Sequence, residues 1–292
     1  MNLNLQPKLD MDLQLPEVLL KESNNQYERL KGKLTPEQFK VFDDRAEFKT
    51  VIALSDFVAN TIFSYPDVCT KLVEQGALDS DTFSLDPKDA VNSYIEDKLS
   101  EFELKKRLRI LRRTRAMVIA WRDLTGKASI DEVLVSLSNL AEAIVLRTID
   151  VVRAQLKNAY GDAVDEEGKP LPLLTLGMGK LGGQELNFSS DIDLIFAYPF
   201  EGQTVGSVRQ LTHREFFSRI VQRTANMLSD KTVDTFCYRI DLRLRPFGDA
   251  GTIVNSFDAL QNYYETQGRT WERYALVKAK LLGDESYYSH WG

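Results

Sequence analysis

The stretch from Leu171 to Tyr198 reads LPLLTLGMGKLGGQELNFSSDIDLIFAY, a glycine-rich turn followed by an apolar run that contains two aspartates. In an extended strand, residues i and i+2 point to the same face, so we expect Asp191 and Asp193 to lie side by side while Ile192 points away. Two neighbouring carboxylates repel each other, and removing them from water is costly unless a cation or hydrogen bonds compensate. A divalent metal ion bound by oxygen ligands provides this compensation, and Mg²⁺ commonly keeps substrate phosphates among its other ligands. The pattern therefore predicts a metal site.

A second motif, FCYRIDLRLRP from Phe236 to Pro246, alternates between apolar and polar residues. The alternation predicts a strand with one apolar face and an opposite face that carries Asp241 among Arg239, Arg243 and Arg245. A third carboxylate beside the aspartate pair would allow two metal ions to be held, and arginines bind phosphate oxygens in bidentate geometry. Such a set suits phosphoryl or nucleotidyl transfer. Asp241 could instead be a structural ion-pair partner of Arg239 or Arg243, and the two roles are compatible.

The aspartate pair also has an alternative interpretation, in which Asp191 and Asp193 are ordinary surface acids on a solvent-facing edge strand. The apolar residues that follow the pair, and the third acid at Asp241, favour the metal site.

The glycine turn does not match known nucleotide-binding patterns. Gly177, Gly179 and Gly182 spell the G-x-G-x-x-G of dinucleotide-binding folds. Only residues 184–190 separate the turn from the next predicted strand, which is too short for the helix that such folds need. The Walker pattern fails because Gly183 stands where a lysine should follow.

The same turn can still contact a phosphate group. Its backbone N–H groups around Gly182 and Gly183 are expected to be exposed, and Ser189 or Ser190 follows shortly after. We therefore expect these four residues to approach phosphate oxygens closely.

Three separated blocks resemble one known family. They read GMGKLGGQELNFSSDIDLIF, YRIDLRLRPFGDAG and YYETQGRTWERYALVKAKLLG, and the similarity covers roughly Leu104 to Gly283. Together they resemble the bifunctional glutamine synthetase adenylyltransferase/adenylyl-removing enzymes, and the combination is far more specific than any single block. The resemblance implies a nucleotidyltransferase fold of the DNA-polymerase-beta type, present in two copies in each full-length enzyme. The amino-terminal copy removes AMP from a tyrosine of glutamine synthetase, using phosphate and releasing ADP; the carboxy-terminal copy attaches AMP from ATP.

Two features favour the amino-terminal, adenylyl-removing copy: a long helical leader precedes the motif, and the spelling ELNFSSDIDLIF is closer to that copy. The resemblance then implies that Asp191, Asp193 and Asp241 hold two Mg²⁺ ions while phosphate attacks tyrosyl-AMP, with Arg239 and Arg243 binding phosphate. The family's enzymes are several times longer, so we expect an incomplete domain. Adenylylated glutamine synthetase, nucleotides (AMP, ADP or ATP) and phosphate are the expected partners, and a PII-type signalling protein is a further one. Two alternatives stay open: ATP-dependent adenylylation of glutamine synthetase, and a non-catalytic module that binds nucleotide or partner in nitrogen regulation.

Composition excludes several other classes of protein. The 292 residues carry a formal net charge of −6, which argues against a general nucleic-acid binder. No apolar stretch approaches the roughly 18 residues needed to span a membrane. Cys69 and Cys237 are too few for a disulfide framework. The amino terminus lacks the features of a signal peptide, so we expect a cytoplasmic protein.

Hydrophobic spacing predicts the order of elements. The predicted helices are Asp56 to Phe63, Asp89 to Phe102, Leu104 to Asp123, Ile130 to Tyr160, His213 to Leu228 and Gly268 to Leu282, and the predicted strands, besides the arginine strand, are Leu173 to Leu176 and Asp191 to Tyr198. Acids, glycine and prolines in residues 162–172 indicate a turn or linker. We therefore predict an α+β protein, with a helical bundle in residues 1–162 and a nucleotidyltransferase-like catalytic domain with a mixed sheet in residues 163–292.

Three smaller predictions concern individual side chains. The basic run from Lys105 to Arg115 is interpreted as a helix with a buried leucine stripe and a solvated basic back. His213 is expected at the surface near a helix start, and Trp271, Tyr274 and Leu282 are expected in the core.

Overall fold

The computed structural model of the protein describes residues 16–80 and 86–283. Packing divides the chain into two compact units: a first unit of residues up to 87 together with 110–140, and a second unit of residues 88–109 together with those from 141 onward. The boundary predicted at residue 162 is based on a change in composition, whereas the two units are defined by which residues pack together. The predicted boundary therefore stays a prediction. Among the described residues, no helix is both long and apolar enough to cross a membrane.

The first unit is helical. Its helices are α1 (Glu17–Lys33), α2 (Pro36–Asp43), α3 (Phe48–Leu54), α4 (Asp56–Ser64) and α5 (Pro66–Glu74), with parts of two long helices, α7 (Glu101–Leu124) and α8 (Ile130–Tyr160). Thr35 begins α2 with a capping box, in which its side chain accepts from the backbone N–H of Gln38. The core of the unit includes the fully buried Phe42 and Trp121, with the ring of Phe48 stacked on Trp121 at 6.1 Å.

The second unit contains the remaining elements. They are α6 (Lys88–Tyr94), the rest of α7 and α8, β1 (Leu174–Gly177), α9 (Gly179–Gly182), β2 (Ile192–Tyr198), α10 (His213–Ser229), β3 (Ile240–Asp241), β4 (Asn255–Ser256), α11 (Phe257–Thr266), α12 (Thr270–Ala275) and β5 (Lys280–Leu281). The mixed sheet and the helices confirm the α+β class.

Two predicted helices differ from the structure. The helix predicted from Asp89 to Phe102 ends at Tyr94, and the next helix begins separately at Glu101. Ser100 caps this next helix, since its hydroxyl accepts from the backbone N–H of Glu103 at 3.2 Å. The helix predicted from Gly268 to Leu282 ends at Ala275. Its last residues pair as a strand with β1, where Leu176 lies opposite Leu281.

The sheet is built around β2. On one side β1 pairs with it antiparallel, with Leu174 opposite Ala197. On the other side β3 pairs in parallel at Ile192 and Asp193, and β4 pairs in parallel at Ala197 and Tyr198. The five strands of this sheet have the order β3-β2-β1-β5, with β4 beside β3 on the same edge of β2.

The loop between β3 and β4 begins and ends at the same edge of β2. Residues 242–254 leave the edge of β2 after β3 and return to the same edge at β4. We call residues 242–254 the arginine loop, because Arg243 and Arg245 lie in it. Helix α10 supports β2, since the ring of Phe217 stacks on that of the fully buried Tyr198 at 5.3 Å.

Candidate active site

Two of the predicted acids are neighbours across the sheet. Asp193 on β2 and Asp241 on β3 are directly paired in parallel register, and the backbone N–H of Ile192 donates to the carbonyl of Arg239 at 2.9 Å. Paired residues of adjacent strands direct their side chains to the same face of a sheet. Asp191 immediately precedes β2 and is exposed, whereas Asp193 is half-buried. Because β2 has partners on both sides, Asp193 does not lie on a solvent-facing edge strand, and Asp191 directly precedes the same inner strand.

The charges around Asp193 are unbalanced. Its pKa is raised, first by burial and then by repulsion from Asp241 and Asp191, with only the charge of Arg243 acting in the opposite direction. Among the described residues, no hydrogen bond or ion pair joins a cation to its carboxylate. The surplus of negative charge at this position is what a bound cation would relieve.

Arginines engage the other two acids. Arg239 pairs with Asp191 through its Nε, and its Nη2 donates to the carbonyl of Ser189 at 2.9 Å. Arg243 pairs with Asp241, donating from Nε to the two carboxylate oxygens at 3.0 and 2.9 Å. These hydrogen bonds lower the pKa of Asp241. The alternative prediction that Asp241 is an ion-pair partner of Arg243 is thereby confirmed.

A hollow of about 330 Å³ lies at these residues. Its lining consists of Asp191, Arg239, Ile240, Asp241, Leu242, Arg243, Arg245 and Asp249. The hollow thus has three arginines and three carboxylates in its wall, with the half-buried Asp193 paired to one of those carboxylates. An anion that carries several charges can be bound here by guanidinium groups.

The donor set suits Mg²⁺. Asp193 and Asp241 present carboxylate oxygens from adjacent strands, which are the ligands that Mg²⁺ prefers. Over residues 16–80 and 86–283, however, no three acidic, histidine or cysteine side chains are arranged as ligands of one ion. Asp191 is turned to Arg239 instead. A site made of all three aspartates therefore requires Asp191 and Asp241 to exchange their arginine partners for the metal.

The glycine turn forms a single helical turn, α9, between β1 and β2. Gly179 has a φ of +54°, and a Cβ there would lie 3.2 Å from Oδ2 of Asp193. At Gly182 a Cβ would overlap the carbonyl oxygen of Lys278 at 1.9 Å. These glycines therefore allow close packing, at Gly179 beside the acid and at Gly182 against the chain before β5.

The predicted phosphate contacts of the turn lie outside the hollow. Gly182, Gly183, Ser189 and Ser190 are absent from its lining. The hydroxyl of Ser190 donates to the side chain of Asn187 at 2.6 Å, which closes a local turn, and Ser189 contributes its carbonyl to Arg239. A role of these four residues in phosphate binding stays a prediction.

The arginine strand is shorter than predicted. Only Ile240 and Asp241 pair with β2, and the arginine loop then turns, with the backbone N–H of Arg245 donating to the carbonyl of Leu242 at 3.2 Å. The alternation also fails earlier, because Cys237 and Tyr238 are both buried. The alternation of apolar and polar residues in this segment is therefore not produced by one continuous strand. The segment is a strand only where β2 provides hydrogen bonds to it.

Arg109 holds the chain that leads into β3, and sequence reasoning missed it. Its side chain is 2% exposed and donates to the carbonyls of Lys105, Met227, Asp230 and Thr235. The last three carbonyls lie at or after the end of α10. In α7, the helix that carries Arg109, the leucine stripe is buried as predicted, but the basic side chains on its other faces are only partly exposed to solvent. No signal in the local sequence sets Arg109 apart from the other basic residues of this run.

Other side-chain predictions were wrong. His213 is buried, with Nδ1 at 2.9 Å from the carbonyl oxygen of Phe200 and Nε2 at 3.2 Å from that of Gln203. It therefore connects the start of α10 to the preceding loop. Trp271 and Tyr274 are 53% and 78% exposed, because α12 is too short and too peripheral to bury both, whereas Leu282 is fully buried as predicted.

A family model and several curated proteins are similar to this chain, and they all point to the same family. A family model described as Glutamate-ammonia ligase adenylyltransferase matches residues 45–290, and this family consists of nucleotidyltransferases. A protein of Shewanella loihica named bifunctional glutamine synthetase adenylyltransferase/adenylyl-removing enzyme is 46% identical over 258 residues, which cover 88% of this chain and 26% of that protein.

Further relatives carry the same name. The protein of Shewanella woodyi is 43% identical over 266 residues, covering 91% of this chain and 27% of its own length. That of Psychromonas ingrahamii is 39% identical over 267 residues, covering 90% and 28%. The chain thus spans about a quarter of the length of these curated relatives. With a family model that covers most of its residues, the chain belongs to the glutamate-ammonia ligase adenylyltransferase family.

Proposed function

We propose that this chain removes AMP from adenylylated glutamine synthetase by phosphorolysis, in a domain of the DNA-polymerase-beta nucleotidyltransferase type located in the cytoplasm. One observation carries the proposal: Asp193 and Asp241 are in register on adjacent strands, beside a hollow lined by arginines. Two carboxylates next to a set of phosphate-binding groups are the requirement for metal-assisted nucleotidyl transfer. The names of the relatives supply the substrate, glutamine synthetase.

The acids have a defined task in this proposal. Asp193 and Asp241 would hold Mg²⁺, and Asp191 would be a further ligand if it exchanged its pair with Arg239 for the metal. Bound Mg²⁺ supplies positive charge next to the phosphorus that is attacked and the oxygen that leaves. The burial and repulsion that raise the pKa of Asp193 oppose a metal-free, fully ionised cluster, so the cluster favours binding of a cation.

The arginines bind the anionic reactants. Orthophosphate is negatively charged and attacks a phosphodiester that is negatively charged too, so the two must be brought together against their repulsion. Guanidinium groups that line the hollow lower this repulsion and fix the orientation of the phosphate for in-line attack. No side chain of the chain needs to become covalently attached to the substrate.

The direction of reaction rests on the domain order. A helical region precedes the site, as it does in the adenylyl-removing copy to which the sequence blocks are similar. A PII-type regulatory partner is proposed from the resemblance alone.

An assay of ADP release tests the proposal. The protein is incubated with adenylylated glutamine synthetase and inorganic phosphate, with and without Mg²⁺, and ADP is measured. We expect ADP only when both phosphate and Mg²⁺ are present. Pyrophosphate release from ATP and unmodified synthetase would instead identify the adenylylating direction, and nucleotide binding without either product would identify a binding module.

A further inference from the structure

The geometry points to Arg245 as the residue that binds the attacking orthophosphate, a position that the sequence motif assigned to Arg239 and Arg243. The inference rests on the proposed function, since it names the anion subsite of the same hollow. Four observations carry it: the burial of the three arginines, the partners of their guanidinium groups, the unused hydrogen-bonding capacity of Arg245, and the rigidity of the chain that follows it.

The three arginines of the hollow differ in burial. The side chains of Arg239 and Arg243 are 53% and 72% exposed, whereas that of Arg245 is 13% exposed. A guanidinium that is already held in place loses little conformational freedom when an anion binds, and its charge is less screened by water. Arg245 is therefore the best prepared of the three to bind a small, highly charged anion.

The ion-pair partners of the three arginines also favour Arg245 as the residue that binds the anion. Arg239 and Arg243 are hydrogen-bonded to Asp191 and Asp241, the acids expected to hold the metal. Arg245 has a looser ion pair, with Nη1 3.6 Å from a carboxylate oxygen of Asp249, whose side chain is 79% exposed. Such a pair is weak and exchanges readily for a stronger anion.

Arg245 also has unused hydrogen-bonding capacity. Its Nη1 is anchored on the carbonyl of Leu242 at 2.8 Å. Its Nε is buried and has no hydrogen-bond partner among the residues that the structure describes. A buried donor without a partner is unfavourable, so a small rotation that presents the guanidinium edge to a phosphate oxygen is favoured once phosphate enters the hollow.

The chain after Arg245 is held firmly. Pro246 is buried, and a Cβ on Gly251 would lie 2.0 Å from its carbonyl oxygen. The ring of Phe247, a residue in the left-handed region with φ of +61°, packs edge-on against that of Tyr263 at 4.6 Å. These contacts fix the backbone next to Arg245, so its guanidinium is positioned before substrate arrives.

The chemical step assigns a binding role to Arg245. A bond forms between an oxygen of orthophosphate and the phosphorus of AMP, the bond from this phosphorus to the tyrosine oxygen breaks, and the released tyrosine oxygen takes up a proton. The products are ADP and unmodified tyrosine. Arg245 exchanges no proton in this step and binds the oxygens of orthophosphate that do not attack.

Steady-state kinetics of Arg245→Gln and Arg245→Lys, with Arg273→Gln as a control, test the inference. Arg273 is exposed and lies outside the hollow lining, so its replacement removes one positive charge elsewhere in the second unit. We expect Arg245→Gln to raise the KM for phosphate at least about tenfold, with less than about twofold change in the KM for adenylylated synthetase. Arg245→Lys should be intermediate, since lysine keeps the charge but loses the planar fork, and Arg273→Gln should match the wild type.

Phosphate binding measured without turnover separates this inference from the proposed function. The Mg²⁺-loaded wild type and the three variants are titrated with inorganic phosphate by calorimetry, after circular dichroism has shown that each is folded. Weaker binding in Arg245→Gln than in the wild type and Arg273→Gln, with Arg245→Lys intermediate, supports the inference even if no ADP is released, which would count only against the proposed function. Unchanged phosphate affinity in folded Arg245→Lys and Arg245→Gln, or an equal loss in Arg273→Gln, overturns it.

Discussion

Two clusters of acids and basic residues, one in each unit, differ in how their charges are balanced. In the first unit, Lys127 bridges Glu47 and Asp79 at 2.9 and 2.8 Å, and Arg45 contacts Asp79 at 2.9 Å. In the second unit, Asp191 and Asp241 have arginine partners, but Asp193 has none among the described residues. In the first cluster every acid has a basic partner, whereas in the second the carboxylate of Asp193 is left without one among the described residues.

The pKa values show the same difference. Hydrogen bonds from Arg45 and Lys127 lower the pKa of Asp79 to about 2. Burial is the largest single influence on Glu47 and would raise its pKa, but the hydrogen bond and charge of Lys127, together with hydrogen bonds from a backbone N–H and from Trp121, outweigh it and leave the pKa lowered. At Asp193, burial and the two neighbouring acids leave the pKa raised. A cluster of acids is therefore informative about function when its charges are left uncompensated, and the number of acids alone does not distinguish the two cases.

Replacement of Asp193 should have the largest effect. We expect Asp193→Asn to lower Mg²⁺-dependent ADP release at least about 100-fold, because it removes a metal ligand that faces Asp241. The free energy of unfolding without metal should stay the same or rise, since a repelled carboxylate is removed. Activity assays and urea denaturation measure the two quantities, and Asp79→Asn serves as the matched control. Full activity in Asp193→Asn would contradict the assignment of the site.

Replacement of Lys127 should affect stability and leave the chemistry unchanged. Lys127→Met leaves the buried Glu47 without its lysine partner, so we expect the free energy of unfolding to fall by about 2 kcal/mol. Denaturant titration measures this change, with Lys71→Met, an exposed lysine of α5, as the control. Loss of ADP release in folded Lys127→Met would show that the first cluster is more than structural.

The pH dependence of stability should have opposite signs at the two clusters. The lowered pKa of Asp79 means that its stabilising contribution is present above its unfolded value near 3.8 and is lost as pH falls toward about 2. The raised pKa of Asp193 means that its contribution to stability declines as pH rises from 3.8 toward its folded value.

Unfolding measured from pH 2 to 7 therefore sharpens the comparison. Asp79→Asn should reduce the loss of stability in acid, and Asp193→Asn should reduce the decline above pH 3.8. We expect each effect to be at most about 1 kcal/mol, since both groups are partly solvated. Changes of the same sign in both variants would show that the two clusters do not differ in charge balance.

The elements that depend on local signals could be predicted from the sequence. Strand β2 and helix α10 lie within one residue of their predicted ranges, because an apolar run and the Thr212 capping box specify them locally. The pairing of Asp193 with Asp241 also follows from motifs that can be read in the sequence. The three-residue metal set and the phosphate contacts stay predictions.

Features that depend on distant partners could not be predicted. Buried Arg109 donates hydrogen bonds to the carbonyls of Met227 and Thr235, which lie 118 and 126 residues away along the chain. A basic residue on a helix normally faces water, so nothing local distinguishes Arg109 from its neighbours. The burial that distinguishes Arg245 from Arg243 could not be predicted for the same reason, since the alternation of the motif treats the two arginines alike.

The arginine loop departs from and rejoins one edge of a buried strand. Its two ends adjoin the strands that pair with β2 at Asp193 and Ala197, while its first half makes up much of the wall of the hollow. Related enzymes could therefore acquire insertions or new side chains between residues 242 and 254, while Asp193 and Asp241 keep their spacing. In this architecture, the wall of the hollow can change in evolution without altering the register that pairs the two acids.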